Sequence, residues 1–422
     1  MKKLFFLFLC TTLLACSNQE ETLIEENKNL SNESGKDLLS HRISTEQAIQ
    51  NSLEFVKNIG KTTRSNEVPL AVSEVKAIGY HNEGTRSLND SIDLDSLFYI
   101  VNFDNNEGYV IASSDDRETP VFAYIEKGNY EEDDTLNNGY EAFIDALIDM
   151  EIATRTSPLP YSTGDSPTPE GEINGSPTYR PDKFEVMLPA LVTKWDQTTY
   201  NRYCPDEYIY TGCVVTAVSQ ICSFLKMPNQ VTWAHNGLGK QCNIDWDNII
   251  NECNLHHGNL NSEYLKDQIA NLMRFWGIAF EADYGEGGTS VDSEYAISVL
   301  QDLGYNVTDL TDYNISDVIS ELKKGDRVIF MRGNARYYHV GFIFRNYVDG
   351  HAWVIDGYID SVENRKESIY VHCNWGWGDN HNGYFLHDVL NAEEIPYFDD
   401  NANMLTRSSN FRYKLKTSTI SK

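Results

Sequence analysis

Basic residues are scarce in this chain of 422 residues, which has 34 Lys and Arg against 63 Asp and Glu and a formal net charge of −29. So acidic a chain repels phosphate backbones, and its few cations form no basic stripe, so we expect no nucleic-acid partner. Cysteine is also sparse. The eight cysteines include no CxxC pair and are too few for a disulfide scaffold.

Long hydrophobic runs are missing as well. Two lysines, Lys2 and Lys3, precede a largely apolar run over Leu4–Leu14. This run is shorter than the roughly 20 residues that a membrane-spanning helix needs, so it is typical of a signal peptide. It ends in the tetrapeptide Leu-Leu-Ala-Cys at Cys16, which resembles a bacterial lipobox. The alternative is a plain cleavable signal with an incidental cysteine.

The lipobox interpretation makes residues 1–16 a lipoprotein signal with Cys16 as the lipidated mature N-terminus. Residues 17–36 are polar and free of aromatic side chains, which suits a flexible tether. We therefore expect an exported bacterial lipoprotein that meets the membrane through Cys16, at the outer membrane or the cell surface. Release of the mature part of the chain outside the cell is a further expectation.

Proline and tryptophan divide the rest of the chain. Six of the twelve prolines fall between Pro158 and Pro181, and all seven tryptophans lie beyond them. Such a stretch is typical of an exposed linker that proteases cut. The predicted organisation is a folded module over residues 37–155, a cleavable linker over 156–182 and a chemically richer domain over 183–422. Arg155 and Arg180 bracket the expected cut.

The first module has clear folding signals and no catalytic constellation. Ser44-Thr45-Glu46-Gln47 predicts a helix N-terminus with a capping box. Alternating apolar residues predict a hairpin from Leu97 to Ala112 and a further strand at Val121–Tyr124, and an amphipathic pattern predicts a helix over Tyr140–Ile152. A folded module without chemistry, joined by a cleavable linker to a module with Cys, His and Trp, suggests a prodomain before an enzyme.

Cys213 is the first candidate for catalysis. It follows Thr211-Gly212 and opens an apolar stretch with helical spacing that ends before Pro228. A cysteine at a helix N-terminus faces unpaired backbone N–H groups that stabilise a thiolate, so we expect a lowered pKa and a nucleophile. A buried structural cysteine is the alternative.

Three further segments offer partners for a cysteine nucleophile. His351 opens a predicted strand and is placed to act as a base, and Asn374 is placed to hold the far nitrogen of its ring. Trp375 could shield that contact from water. Gln197, sixteen residues before Cys213, could complete an oxyanion hole with the backbone N–H of the cysteine.

The order Gln, Cys, His, Asn-Trp-Gly is that of papain-like cysteine peptidases, and the local sequence resembles the streptopain family of secreted bacterial cysteine peptidases. Motifs in both halves carry the resemblance. They are Tyr99-Ile100-Val101-Asn102-Phe103, Trp195-Asp196-Gln197, Thr211-Gly212-Cys213-Val214 with Ala217 and Gln220, Tyr284-Gly285-Glu286-Gly287-Gly288-Thr289-Ser290, Gly350-His351-Ala352-Trp353-Val354-Ile355-Asp356-Gly357 and Asn374-Trp375-Gly376-Trp377-Gly378.

The resemblance implies an α+β fold: a papain-like catalytic domain with a helical lobe and an antiparallel-sheet lobe, behind an α+β inhibitory prodomain. It implies a zymogen of a cysteine endopeptidase that acts on proteins or peptides without cofactor or metal. Cys213 would be the nucleophile, His351 the general base and acid, and Gln197 the oxyanion donor. Trp375 would lie beside the histidine, and Asn374 would matter less because the family is usually described as a dyad. The loop over residues 284–290 would shape the substrate pocket.

One departure from the family pattern is a predicted inserted strand and loop over Val340–Tyr347. It brings His339 close in sequence as a rival base. Two other functions remain open. One is a catalytically silent papain-like binding lipoprotein, and the other is an amide hydrolase or transpeptidase. A metal site built from Cys204, Cys213, Cys222 and His256-His257 is disfavoured because spacings of nine match no zinc motif.

Overall fold

The computed structural model describes residues 41–63, 70–79, 95–131, 138–156, 178–205, 210–285, 288–340, 344–390 and 413–422. Within these ranges it has eight α-helices and sixteen strands. The helices are α1 (Thr45–Thr63), α2 (Asn138–Thr156), α3 (Cys213–Leu225), α4 (Trp246–Leu255), α5 (Glu263–Ala279), α6 (Ser293–Asp302), α7 (Ile315–Leu322) and α8 (His387–Leu390). The strands are β1 (Val72–Ile78), β2 (Phe98–Phe103), β3 (Tyr109–Ser113), β4 (Val121–Ile125), β5 (Lys183–Met187), β6 (Gln230–His235), β7 (Leu238–Asn243), β8 (Asp283–Gly285), β9 (Gly288–Ser290), β10 (Asn306–Val307), β11 (Thr311–Asp312), β12 (Arg327–Val340), β13 (Phe344–Glu363), β14 (Lys366–Asn374), β15 (Gly383–Leu386) and β16 (Tyr413–Ser421).

The first half folds as its local sequence signals predict. Helix α1 starts after Ser44, whose hydroxyl accepts the backbone N–H of Gln47 at 3.2 Å. Ile43 and Ala48 are buried on either side of this cap, as a hydrophobic staple requires. Strands β2 and β3 form the predicted antiparallel hairpin, with Ile100 opposite Ile111.

A large antiparallel sheet runs through both halves of the chain. Its strand order is β1-β2-β3-β4-β15-β14-β13-β12-β16-β10, with β11 beside β16 and β5 beside β13. The two halves join where β4 pairs with β15, with Ala123 opposite Phe385 and Ile125 opposite Gly383. The first half therefore docks by extending the sheet of the second.

Two hydrophobic cores stabilise the molecule. One lies in the helical lobe, where Ile221 of α3, Leu272 and Trp276 of α5 and Ile297 of α6 pack together. The other covers the large sheet and is shared by the two halves, because Tyr140 of α2 packs edge-on to Phe385. The expected α+β fold with a helical lobe and an antiparallel-sheet lobe is confirmed.

Several predictions fall outside the described residues. They are the signal and lipobox over residues 1–16, the tether over 17–36 and the linker segment 157–177. In the ranges that the structure does describe, none of the helices combines the length and apolar character needed to cross a membrane.

Candidate active site

Cys213 is the first residue of α3, as the sequence predicts. The preceding Gly212 has φ of 100° and caps the helix. That left-handed region suits glycine, and the position is also crowded, because a Cβ on Gly212 would lie 3.1 Å from Cγ2 of Thr289. The β8–β9 hairpin, which carries Thr289, therefore borders the start of α3.

The pKa of Cys213 does not move in the direction expected from the helix N-terminus. Burial of the thiol dominates and raises its pKa. Backbone N–H groups of Ala352, Val214 and Cys213 itself act the other way and only partly offset the burial. The expectation of a lowered pKa is thus wrong for this prodomain-bound form, in which the thiol stays protonated at neutral pH.

His351 lies in β13 and is 4% exposed. Its Nε2 is 3.0 Å from the backbone carbonyl oxygen of Trp375, which can only accept, so Nε2 carries the proton of the neutral ring. Burial lowers its pKa to about 4, although the Trp375 carbonyl acts in the opposite sense. The imidazole also stacks on the indole of Trp353, with ring centres 5.9 Å apart.

The chain itself brings Cys213 and His351 together. Ala352, whose backbone N–H acts on the Cys213 thiol, is the residue directly after His351 in β13. Helix α3 packs against β13 as well. The nucleophile and base candidates therefore meet where the helical lobe contacts the sheet lobe, as in a papain-like cleft.

Asn374 does not take the place predicted for it. Its side-chain oxygen accepts from Gln220 Nε2 at 3.0 Å and from the backbone N–H of Gly376 at 3.3 Å. Its side-chain nitrogen donates to the carbonyl of Thr193 at 2.9 Å and to Gln220 Oε1 at 3.1 Å. Because these bonds occupy the amide, the Trp375 carbonyl and not Asn374 holds the His351 ring.

Gln197 lies in the segment before α3, and this segment is also hydrogen-bonded to the residues at the start of the helix. Gln197 is buried, and its carbonyl accepts the backbone N–H of Thr211 at 2.9 Å. Since Thr211 is two residues before Cys213, this bond ties the Gln197 segment to the start of α3. The placement is compatible with the oxyanion role predicted for its side chain.

Trp375 lies fully buried between the histidine strand and the prodomain. Its indole packs on Trp353 and Phe385, and its Nε1 donates to the carbonyl of His381 at 3.1 Å. Gly139 at the start of α2 sits directly on this indole, because a Cβ there would lie 2.1 Å from Trp375 Cε3. The prodomain thus touches the residue whose carbonyl holds His351.

His339 is not near the nucleophile. It lies on β12, opposite Arg345, whereas Gly333 of the same strand is opposite His351. Six residues separate Gly333 from His339, a distance of about 20 Å along a strand. Of the predicted inserted strand and loop, Val340 ends β12 and residues 344–347 open β13, while residues 341–343 lie outside the described residues. His351 remains the base candidate.

Two buried groups near the site were given no role from sequence. Gln220 bonds Asn374, and His372 Nδ1 lies 2.6 Å from a carboxylate oxygen of Asp356. The other ring nitrogen of His372 is 3.7 Å from Glu126 of the prodomain. In both cases the sequence does contain a signal of a functional group, because a polar residue lies on the otherwise apolar face of a predicted helix or strand.

Comparison with known proteins agrees with this geometry. Residues 195–385 match the Peptidase C10 family and residues 40–151 match the Spi protease inhibitor family. Streptopain of Streptococcus pyogenes is 24% identical over 329 residues, covering 71% of this chain and 76% of that protein. The thiol protease/hemagglutinin PrtT of Porphyromonas gingivalis is 25% identical over 331 residues, covering 71% of this chain and 35% of that protein.

A solved structure supports the fold. A fragment of Prevotella intermedia prointerpain A superposes with a TM-score of 0.51 at 21% identity, covering 83% of this chain and 98% of that one. Fold, site and relatives together define a cysteine-type endopeptidase made as a zymogen with its prodomain. Residues 195–385 thus resemble the Peptidase C10 family, and a Spi-like region precedes them in the chain.

Proposed function

We propose that Cys213 is the nucleophile of this peptidase and that His351 is its general base and acid. The observation that carries the proposal is the meeting of the α3 N-terminus with β13, where Ala352 beside His351 contacts the thiol. The Nε2–H of His351 is engaged by Trp375, so Nδ1 is the basic nitrogen of the neutral ring.

The proposed reaction follows acyl-transfer chemistry. The Cys213 thiolate attacks the peptide carbonyl, and the developing oxyanion is held by the Gln197 side chain and the backbone N–H of Cys213. Protonated His351 gives its proton to the leaving amine as the C–N bond breaks. A water molecule, deprotonated by His351, then hydrolyses the thioester and restores the enzyme.

Hydrolysis of casein by the processed enzyme tests these roles. Cys213→Ala and His351→Ala should each abolish hydrolysis. The matched controls Cys242→Ala and His339→Ala should keep it, because Cys242 lies on the β6–β7 hairpin and His339 lies far along β12. An inactive His339→Ala beside an active His351→Ala would contradict the assignment of the base.

We further propose that the enzyme is a lipoprotein of the outer membrane or cell surface, tethered by Cys16 until proteolysis frees the catalytic domain. The support is the lipobox sequence alone. Cys16→Ser should abolish labelling by an alkyne fatty acid and move the protein out of the membrane fraction, whereas Cys10→Ser should not. A labelled, membrane-bound Cys16→Ser protein would contradict the anchor.

The cut that starts maturation is proposed to fall between Arg155 and Arg180. Arg155 is held inside the prodomain, where its guanidinium donates to the Leu97 carbonyl at 3.0 Å and to Ser114 Oγ at 2.6 Å. Tyr179 is buried, and its backbone N–H donates to Asn51 of α1 at 2.9 Å. These fixed ends favour a first cut in the residues between them.

A further inference from the structure

Gln220 is a fully buried amide two turns after Cys213 on α3. Its Nε2 donates to Asn374 Oδ1 at 3.0 Å, and its Oε1 accepts from Asn374 Nδ2 at 3.1 Å. The same Oε1 accepts the backbone N–H of Trp195 at 3.0 Å. The two side chains thus form a reciprocal amide pair, and this pair reaches a third segment of the chain.

Each segment that meets at Gln220 carries one element of the proposed mechanism. Helix α3 carries Cys213, and the Trp195 segment carries Gln197. The segment after Asn374 carries the Trp375 carbonyl that holds His351. Asn374 strengthens the junction, because its amide nitrogen also donates to the carbonyl of Thr193 at 2.9 Å.

We propose that Gln220 is a positioning residue for catalysis, which fixes the nucleophile, the oxyanion donor and the histidine relative to one another through its amide pair with Asn374. This inference rests on the catalytic roles proposed above. Burying an amide is costly unless its hydrogen bonds are made, and a hydrophobic residue of similar volume could fill the space. Positioning explains why an amide stands there, since a displacement of about 1 Å in an active site can cost 10²-fold in rate.

Two substitutions separate positioning from packing. Gln220→Met keeps the volume and removes every hydrogen bond. Gln220→Glu keeps the shape, and as a neutral carboxylic acid it reproduces the reciprocal pair, with O–H donating to Asn374 and C=O accepting from it. When ionised it can only accept, so the pair is broken. Burial raises the pKa of such a carboxyl, which places the change within the range of an activity assay.

The matched control is Ser219→Ala. Ser219 is the neighbouring residue on α3 and is equally buried, and its hydroxyl makes no hydrogen bond within the described residues. All variants are made as the chain from residue 17 onward and are processed by a trace of mature wild-type enzyme. A Cys213→Ala zymogen processed in the same way gives the activity of the trace, which is subtracted. Calorimetry gives the melting temperature of each product.

Initial rates on a peptide substrate, measured across pH, decide the outcome. We expect Gln220→Met to lose about 10²-fold in kcat with KM changed less than threefold, and Ser219→Ala to match the wild type. Gln220→Glu should approach wild-type kcat at acidic pH and fall below it as pH rises. A Gln220→Glu profile parallel to that of the wild type, or a folded Gln220→Met with wild-type kcat, overturns the proposal.

If Gln220→Met does not fold, the pH profile of Gln220→Glu alone tests the proposal. The experiment also distinguishes a failure of this inference from a failure of the proposed function on which it rests. If the wild type shows no Cys213-dependent hydrolysis, the catalytic roles are wrong. If the wild type is active and the Gln220 variants follow it, the positioning role alone is wrong.

Discussion

Burial keeps both catalytic candidates uncharged in the zymogen. It raises the pKa of the Cys213 thiol and lowers that of His351 to about 4, so the thiol and the imidazole are both neutral at pH 7. Catalysis needs the thiolate. The ion pair of an active cysteine peptidase therefore has to form after the surroundings of these residues change, and loss of the prodomain from Trp375 is the change that the contacts suggest.

A neutral Cys213 thiol should react slowly with alkylating reagents, because the thiolate is the reactive form. In the uncut zymogen we expect alkylation of Cys213 by iodoacetamide to be slow at pH 7 and to rise only at alkaline pH. After processing, the same rise should occur at lower pH, because the prodomain no longer packs on Trp375, which holds His351, and the imidazole can then become charged and stabilise the thiolate. Peptide mapping by mass spectrometry measures the rate at Cys213 alone. Superimposable pH profiles for the two forms would refute the argument.

Gln197 provides a second test at the scale of one side chain. Gln197→Ala should lower kcat by roughly 10²–10³-fold if its amide holds the oxyanion, with little change in melting temperature. Gln241→Ala, on the exposed β7 strand, is the matched control and should behave as the wild type. An unchanged kcat for Gln197→Ala would reject its role.

Local sequence was enough to predict where the candidate nucleophile and base lie, at the start of a helix and in a strand. Cys213 and His351 are set by neighbours in the chain, a glycine cap and a strand. The partner of Asn374 could not be predicted, because Gln220 and Thr193 reach it through tertiary packing. The pKa of Cys213 was predicted in the wrong direction because burial depends on the whole fold, whereas the helix N-terminus is a local feature.

At the scale of elements, the zymogen depends on the junction between β4 and β15. Gly383 of β15 faces the prodomain strand so closely that a Cβ would lie 2.1 Å from the carbonyl oxygen of Tyr124 and 2.9 Å from Cα of Ile125. These are backbone atoms, which cannot move aside without opening the pair. The glycine is therefore a requirement of the junction.

Gly383→Ala should weaken the docking of the prodomain. We expect the zymogen to lose about 1–3 kcal/mol of stability through overpacking and to process itself faster than the wild type. The processed Gly383→Ala enzyme is its own control, since the prodomain strand has left, and it should keep wild-type kcat. Calorimetry measures the loss of stability, and the rate of self-processing measures the weaker docking. A Gly383→Ala zymogen with wild-type stability and processing rate would contradict the tight junction.

Periodicity predicted most elements of the first half, including α1, the β2–β3 hairpin and α2. The β4–β15 junction was beyond sequence analysis, because β4 is a short apolar strand whose partner lies more than 250 residues later. The length of the β12–β13 hairpin was also missed, as was the place of β16 beside β12. Each depends on long-range pairing that no local pattern specifies.

At the scale of the whole molecule, a cluster of charged side chains around the buried His372 links the two halves. Glu126 of the prodomain lies 3.7 Å from His372 and 3.6 Å from Lys194, and His372 also contacts the buried carboxylate of Asp356 at 2.6 Å. Burial opposes the charged imidazole, but the two carboxylates prevail and raise the pKa of His372 to about 9. His372 is thus charged at neutral pH in the folded zymogen.

This shift gives the stability of the zymogen a pH dependence with a definite sign. Between the ordinary pKa of 6.5 and about 9, folded His372 holds a proton that the unfolded chain has lost. The contribution of His372 is therefore complete below pH 6.5 and is lost as pH rises through about 9. Glu126→Gln should flatten this fall in the free energy of unfolding. Urea unfolding from pH 6 to 9.5 checks it, and equal slopes for both proteins would disprove the linkage.

We expect Cys213 to activate the zymogen, and a time course of intact mass tests this expectation. Wild type and Cys213→Ala, both from residue 17 onward, are incubated under reducing conditions with casein present. We predict that the wild type trims itself to a product that begins between residues 156 and 182 and degrades casein, while the mutant does neither. An unchanged wild type that added protease also fails to activate would contradict the account and favour a silent binding protein.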